Sequence, residues 1–368
     1  MSGAPAWSPA ERGYMRRALA LARRGWGRTS PNPMVGAVVV ADGAIVGEGW
    51  HAEYGGPHAE PVALAAAGAR ARGADVYVTL EPCAHHGRTP PCADALIAAG
   101  VRRVVIAVHD PNVVAAGGAA RLRDAGIVVE FGLEEADAAE LNAPFLFAAR
   151  GADRPWVTLK LATSLDGAIA DHSRRPGWLT GVAARRAVHR LRAGSDAIAV
   201  GIGTVLADDP LLTVRYGRAP RRPPVRVVFD RGGRLRPDRA LVRTADEAPV
   251  LVVTSSEGPA RDDLAGVVTV RTDGLDEALR ALRRRDLRHL FCEGGAGLAG
   301  ALLAAGLVDR LVIFQAPVLL GEGALPAFAH APAVRAGEAP RWRVVGRRSY
   351  GDDLMTIYAP GDRAREGG

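Results

Sequence analysis

His58, Glu60, Cys83 and Cys92 are the residues of this 368-residue chain whose types and spacing point most directly to chemistry. One imidazole and two thiolates supply three ligands of a tetrahedral zinc site and leave a fourth position for water, the arrangement of a catalytic rather than a structural metal. Glu60 lies two residues beyond His58, so it can sit beside the metal without binding it and carry a proton between water and a leaving amine. Cys92 falls at a helix start, where the dipole and the metal together favour the thiolate. A purely structural zinc, or a pair of buried free cysteines, is the alternative for the same residues.

A second group gathers around Lys160. Read as a strand of period two, Val157, Leu159 and Leu161 share one face, and Lys160, Ala162, Ser164 and Asp166 share the other if the extension continues that far. Further on, Gly295, Gly297 and Gly300 satisfy the pattern G-x-G-x-x-G. A dinucleotide-binding Rossmann turn would also require an acidic residue at the end of the next strand. That strand, 311–314, is followed by Gln315, and Asp309 lies before it. The loop and helix start are therefore read as a cradle for a cofactor phosphate through free backbone amides, without the Rossmann topology. Cys292, beside Glu293, reads as a buried small residue.

The elements that must position these groups can be read from periodicity and punctuation. Ser8-Pro9-Ala10-Glu11 carries a capping box that opens a helix ending near Gly25 or Gly27. Strands at 35–40 and 44–48 flank Asp42-Gly43, a hairpin turn. Helices are expected at 58–72, 92–99, 119–124 and 134–142, and strands at 76–80, 104–108 and 127–131. After a break at 150–155 the expected strands are 157–161, 197–200, 225–230, 250–254, 289–292 and 311–314, with helices at 182–193, 275–284 and up to 305. A strand or hairpin between Trp342 and Tyr358 closes the series. Alternating strands and helices mean sheets covered by helices, here as two different α/β domains, 1–150 and 151–368.

Apolar residues make up 48% of the chain and charged residues 24%, a balance that supports a packed core and excludes large-scale disorder or a collagen-like chain. Aromatic residues are only 5%, so that core must be mostly Ala, Val and Leu. Of 47 Lys plus Arg residues one, Lys160, is lysine. So general an arginine bias weakens the step from a sequence pI near 9.9 to a nucleic-acid partner. The charge changes sign near the domain break, from slightly acidic to basic, which suits anionic small ligands as well as it suits nucleic acid. Three cysteines argue against a disulfide framework and for a reducing compartment. Without an apolar run long enough to span a membrane or a leader pattern at its start, the chain is expected to be cytoplasmic.

The order His-x-Glu, then Pro-Cys, then a second Cys is the signature of zinc-dependent hydrolytic deamination, with eight residues between the cysteines here instead of the usual two. The stretch from Cys83 to Cys92, Cys-Ala-His-His-Gly-Arg-Thr-Pro-Pro-Cys, together with Asn32-Pro33, Val35-Gly36 and Asp110-Pro111-Asn112, resembles the deaminase half of bifunctional riboflavin-biosynthesis enzymes. In that family a diaminohydroxyphosphoribosylaminopyrimidine deaminase is fused to a reductase. Leu159 to Gly167 and Gly203 to Arg215 resemble the family's reductase domain, so the resemblance runs along nearly the whole chain.

The resemblance implies a cytidine-deaminase-like three-layer α/β/α domain followed by a dihydrofolate-reductase-like α/β domain. It implies zinc in the first and NADPH in the second. It places pyrimidine and ribose-phosphate contacts on Asn32, His51, His85, Arg88, Asp110 and Asn112, while His86 and His109 read as loop-ordering residues. NADPH contacts fall on Ala162, Trp178, Thr204 and Asp208 and on the loop Gly295, Ala296, Gly297, Leu298, Ala299, Gly300 and Ala301. The reductase substrate contacts fall on Arg192, Leu212, Arg215 and Glu293, with Lys160 close by; guanidinium and ammonium groups suit a sugar phosphate. The implied partner is a phosphoribosylated pyrimidine, within a homo-oligomer, with neither nucleic acid nor membrane involved.

Three departures from the family pattern stand out. The segment Asp110 to Gly118 is one residue shorter, Pro176 replaces a usual serine, and Ala168 a frequent basic residue. An RNA or nucleoside deaminase would share the first four residues, but the cysteine spacing and the lack of an aromatic-rich basic face oppose it. A non-catalytic zinc protein that binds nucleic acid would fit the basic charge and leave Glu60 without a role.

Overall fold

The computed structural model describes residues 7–361 except 88, 89, 113, 114, 176, 260, 329, 330, 332 and 333. Pro176, Arg88 and part of the shortened segment after Asp110 thus lie outside the described residues. The chain divides into two compact units, Met1–Ala152 and Asp153–Gly368.

The first unit opens with α1 (Pro9–Ala22), where Ser8 accepts from the Glu11 backbone N–H and the Glu11 carboxylate accepts from that of Ser8. Then follow β1 (Gly36–Ala41), β2 (Ala44–Trp50), α2 (Ala59–Ala67), β3 (Asp75–Val78), α3 (Cys92–Ala99), β4 (Arg103–Ile106), α4 (Gly118–Asp124), β5 (Val128–Phe131), α5 (Glu135–Leu141) and α6 (Ala143–Ala149). The sheet order is β2-β1-β3-β4-β5, with β1 antiparallel to both neighbours and β3, β4 and β5 parallel.

One face of the sheet packs Ala37, Val39, Val76 and Val78 against alanines of α2 and against Leu96 and Leu122. The other packs Val38, Tyr77 and Val105 against Met15, Leu19 and Leu146. These are the three expected layers. The helix expected at 58–72 stops at Ala67 because Gly68 takes a positive φ of 58°, and the remainder is a 3₁₀ turn.

The second unit contains β6 (Trp156–Thr163), β7 (Ala168–Ala170), α7 (Val182–Ala193), β8 (Ala197–Gly201), α8 (Ile202–Asp208), β9 (Val225–Phe229), α9 (Ala240–Arg243), β10 (Val250–Thr254) and β11 (Val267–Arg271). It continues with α10 (Leu275–Arg283), β12 (His289–Cys292), α11 (Ala296–Ala304), β13 (Arg310–Gln315), β14 (Leu325–Pro326), β15 (Trp342–Tyr350) and β16 (Asp353–Pro360). Among the described residues the main sheet runs β11-β10-β9-β8-β12-β6-β13-β16-β15. It is parallel from β11 to β13, and β16 and β15 add an antiparallel edge.

β12 and β13 lie on opposite sides of β6 instead of side by side. The glycine loop between β12 and α11 therefore does not belong to a Rossmann unit, in which the strands joined by the first crossover are neighbours. Its core is aliphatic as composition requires, with Phe291 and Phe314 as its fully buried phenylalanines. The extension expected to carry Ser164 and Asp166 onto the Lys160 face ends at Thr163. Ser164 is buried and accepts the backbone N–H of Ala168 at 2.9 Å, closing a turn into β7. Asp166 turns away to accept the backbone N–H groups of Leu320 (3.2 Å) and Gly321 (2.9 Å), so Lys160 and Ala162 alone keep the shared face.

Candidate active sites

In the first unit two helix starts deliver the metal-ligand candidates. His58 is the residue before α2, in extended conformation with a side chain that caps nothing, so its ring is available elsewhere. α2 lies hard on β2, since a Cβ at Gly49 would stand 2.2 Å from the carbonyl oxygen of Ala59. Cys92 is the first residue of α3, and Cys83 sits in the loop after β3, accepting the Cys92 backbone N–H at 3.4 Å. His58 Nδ1 stands 3.2 Å from Cys92 Sγ and 3.6 Å from Cys83 Sγ.

The three donor atoms lie within 4.8 Å of one another. Tetrahedral bonds of the usual Zn–N and Zn–S lengths separate their donors by about 3.5 Å. The donor set and its spacing therefore fit zinc. Cys92 and His58, as hydrogen-bond partners of Cys83, lower the pKa of its thiol. The hydrogen bond to Cys83, burial and the Glu60 carboxylate push that of Cys92 up.

Glu60, in the first turn of α2, is 3% exposed, and burial raises its pKa. It lines one cleft with His58 and Cys83, and the same cleft is walled by Asn32, His51, His85, Asp110 and Asn112. Asn32 Nδ2 faces His51 Nε2 at 3.3 Å, while His51 Nδ1 faces the Pro57 carbonyl at 2.9 Å. The ring thus donates from Nδ1 and accepts at Nε2. Asp110 is buried and accepts the Asn112 backbone N–H at 2.9 Å. Exposed His109 lies outside this wall, its ring stacked 3.6 Å from that of Phe131.

Tyr54 and Phe145, which sequence reasoning missed, complete the wall. So does the support from Glu81, a buried carboxylate that accepts the backbone N–H groups of Asp110 (3.4 Å) and Ala119 (3.1 Å). Its position beside Pro82-Cys83 was the only signal available. Gly118 was also missed, although a Cβ there would lie 1.7 Å from the carbonyl oxygen of Pro82, next to Cys83. Gly118→Ala is expected to displace this loop at a cost of about 1–3 kcal/mol. Lower bound zinc and a lower melting temperature than in Gly13→Ala, where a Cβ meets nothing within 4 Å, would check it.

In the second unit Lys160, inside β6, converges with Arg192 in the last turn of α7 and Glu293 just after β12. Lys160 Nζ lies 4.0 Å from Glu293 Oε2 and 6.0 Å from the centre of the Phe314 ring. Arg192 forks onto both oxygens of Glu293 through Nε and Nη2 and donates from Nη1 to the Thr213 carbonyl at 2.9 Å. Burial would raise the pKa of Glu293, but Arg192 and Lys160 bring it below the ordinary value. Burial lowers that of Lys160 against the opposing pull of Glu293.

Leu212 is buried with φ of 51°, and Arg215 is exposed. Gly295 caps α11, and a Cβ on it would stand 3.1 Å from Thr204 Oγ1, so the glycine loop and α8 meet. Asp208 ends α8, exposed. Trp178 is 73% exposed with the Arg185 guanidinium 4.8 Å from its ring centre. Cys292 is fully buried.

Comparison with known proteins followed the two units. Residues 155–356 match the family model of the RibD C-terminal domain, and residues 9–108 match the cytidine and deoxycytidylate deaminase zinc-binding region. The chain is 43% identical over 318 residues to riboflavin biosynthesis protein RibD of Aquifex aeolicus, covering 85% of this chain and 88% of that one. It is 44% identical over 362 residues to the Escherichia coli protein of the same name, covering 93% and 97%. Among solved structures, Acinetobacter baumannii RibD superposes with a TM-score of 0.84 at 40% identity over 96% of this chain and 99% of that chain. The Thermotoga maritima diaminohydroxyphosphoribosylaminopyrimidine deaminase/5-amino-6-(5-phosphoribosylamino)uracil reductase gives the same TM-score at 36% identity and the same coverage.

Proposed function

The chain belongs to the RibD family of bifunctional riboflavin-biosynthesis enzymes, and we propose that its deaminase reaction is carried by His58, Glu60, Cys83 and Cys92 and its reductase reaction by a site around Lys160 and Glu293. The substrate of the first reaction is 2,5-diamino-6-(5-phosphoribosylamino)pyrimidin-4(3H)-one. Water adds at the ring carbon bearing the 2-amino group, the C–N bond breaks, and ammonia leaves. The product, 5-amino-6-(5-phosphoribosylamino)uracil, is the substrate of the second reaction, which turns its ribosyl group into ribityl.

Zinc held by His58, Cys83 and Cys92 supplies the Lewis acidity that makes water a nucleophile at neutral pH. Glu60 takes a proton from the attacking water on a carboxylate oxygen and returns it to the departing amine. Its burial keeps bulk water from competing for that proton. Asn32, His51, Asp110 and Asn112 orient the pyrimidine and its ribose in the same cleft.

In the reductase the loop from Gly295 to Ala301, with Thr204 against it, would hold NADPH through free backbone amides, and the cofactor would supply the hydride. Lys160 and Glu293 present an ammonium and a carboxylate to the ribosyl carbon, and Arg215 takes the substrate phosphate.

The observation that carries this reading is the meeting of Glu60 with His58 and Cys83 in one cleft, with the Cys92 sulfur within 4.8 Å of both of their ligand atoms. No helix among the described residues is long and apolar enough to cross a membrane, and the three cysteines are free thiols, in keeping with a cytoplasmic enzyme. The test is to supply each substrate separately. The diamino compound should release ammonia without NADPH, and the deaminated compound should consume NADPH without releasing ammonia. Failure of the second reaction would remove the reductase assignment.

A further inference from the structure

Of the two arginines assigned to the reductase substrate, one has its guanidinium wholly uncommitted among the described residues. Arg192 already turns donors on all three of its nitrogens to Glu293 and to the Thr213 carbonyl. The exposed Arg215 side chain has no hydrogen-bonded or ion-paired partner among the described residues. What aims it must then be the backbone beneath it, and residues 211–215 form no helix or strand that could fix that backbone.

The segment is instead held at three points by side chains. Arg226, itself fully buried, donates to the Leu211 carbonyl at 3.3 Å. Arg192 donates to that of Thr213 at 2.9 Å, and His189 Nδ1 accepts the Arg215 backbone N–H at 3.0 Å. Leu212, between the first two anchors, sits at a φ of 51°, a conformation that a leucine keeps only where its surroundings enforce it.

His189 and Arg192 lie three residues apart on α7, so one helix face supplies two of the anchors. His189 is 5% exposed, and the Tyr216 ring closes over it edge-on at 4.9 Å. An imidazole accepts at Nδ1 only while neutral. Burial and the neighbouring Arg192 and Arg215 cations bring its pKa down to about 4, against the pull of Glu293, so it remains an acceptor at neutral pH.

We propose that His189 is a positioning residue for substrate recognition in the reductase: its Nδ1 fixes the backbone of Arg215 and so directs that guanidinium at the substrate's phosphate. The proposal rests on the reading that Arg215 binds the phosphate. His189 itself touches no substrate, and it acts through one hydrogen bond.

Steady-state reduction of 5-amino-6-(5-phosphoribosylamino)uracil by the full, zinc-loaded chain tests both statements. Arg215→Ala and His189→Leu should each raise KM roughly tenfold with kcat within about twofold, the pattern of lost uniform binding to a charged group. His189→Asn, whose Oδ1 stands near the place of Nδ1, should keep KM close to that of the parent. The double variant His189→Leu/Arg215→Ala should be no worse than Arg215→Ala alone.

An unchanged KM in Arg215→Ala would remove the phosphate reading. A raised KM there, combined with an unchanged KM in His189→Leu or with additive effects in the double variant, would overturn the role of His189 alone. If His189→Leu loses NADPH binding and with it the reductase fold, His189→Gln takes its place. Gln should raise KM where Asn does not, and equal values in the two would overturn the proposal.

Discussion

Glu60→Gln is expected to lower the rate of ammonia release by roughly 10²–10⁴-fold, the usual worth of a positioned general acid–base group, while zinc content stays at one per chain. The amide keeps the size and much of the hydrogen bonding of the carboxylate but cannot take a proton. Glu60 is 3% exposed at the first turn of α2, and His58, two residues earlier, leads into the same helix. The substitution should therefore leave the ligand set, whose donors lie within 4.8 Å of one another, in place. Metal analysis beside an ammonia assay separates the two effects. Deamination at the parent rate would remove Glu60 from the mechanism, and loss of zinc would make it a structural support.

Lys160→Arg is expected to lower reductase turnover on the deaminated compound by about 10²-fold, the cost of misplacing a reacting group by an ångström or so. The Lys160 side chain is 15% exposed, 4.0 Å from a carboxylate oxygen of Glu293 and against the Phe314 ring. Both oxygens of Glu293 are already engaged by Arg192, so a planar guanidinium arriving from β6 finds no free carboxylate edge to pair with. It is also larger than the ammonium in a site closed by buried side chains. In a chain that uses arginine for 46 of its 47 basic residues, retention of this single lysine is thereby explained. NADPH oxidation in stopped or steady-state assays measures the effect, and near-normal turnover would make the lone lysine incidental.

Much of the fold could be read from the sequence because its signals are local. The capping box at Ser8 and Glu11, the Asp42-Gly43 turn and the alternating apolar runs each specify an element within a few residues. Some short elements were not legible. α8 spans seven residues beside Gly201 and Gly203, and β11 is an edge strand with only Val270 buried, so neither carries a full period of hydrophobic pattern. Among the described residues β7 and β14 pair only with each other, and pairing at such sequence distance leaves no mark on either segment.

The sites divide along the same line. His58, Glu60, Cys83 and Cys92 were legible because metal chemistry restricts residue type and spacing together. Glu81, Gly118 and His189 were not. Each acts on backbone supplied by a distant segment: Glu81 on the amides of Asp110 and Ala119, Gly118 by leaving room for Pro82, His189 on the amide of Arg215. The face shared by Lys160, Ser164 and Asp166 was read too far, because a period-two pattern cannot announce the turn at which a strand ends.

The central claim is that one chain carries two chemically separate sites, and assaying both reactions in both single variants tests it most directly. Glu60→Gln should lose ammonia release and still consume NADPH when given 5-amino-6-(5-phosphoribosylamino)uracil, at a rate within about twofold of the parent, as expected for sites that share no residues. Lys160→Arg should show the reverse, releasing ammonia normally and failing to oxidise NADPH. Loss of both activities in either variant, with the fold and zinc content intact, would contradict the account.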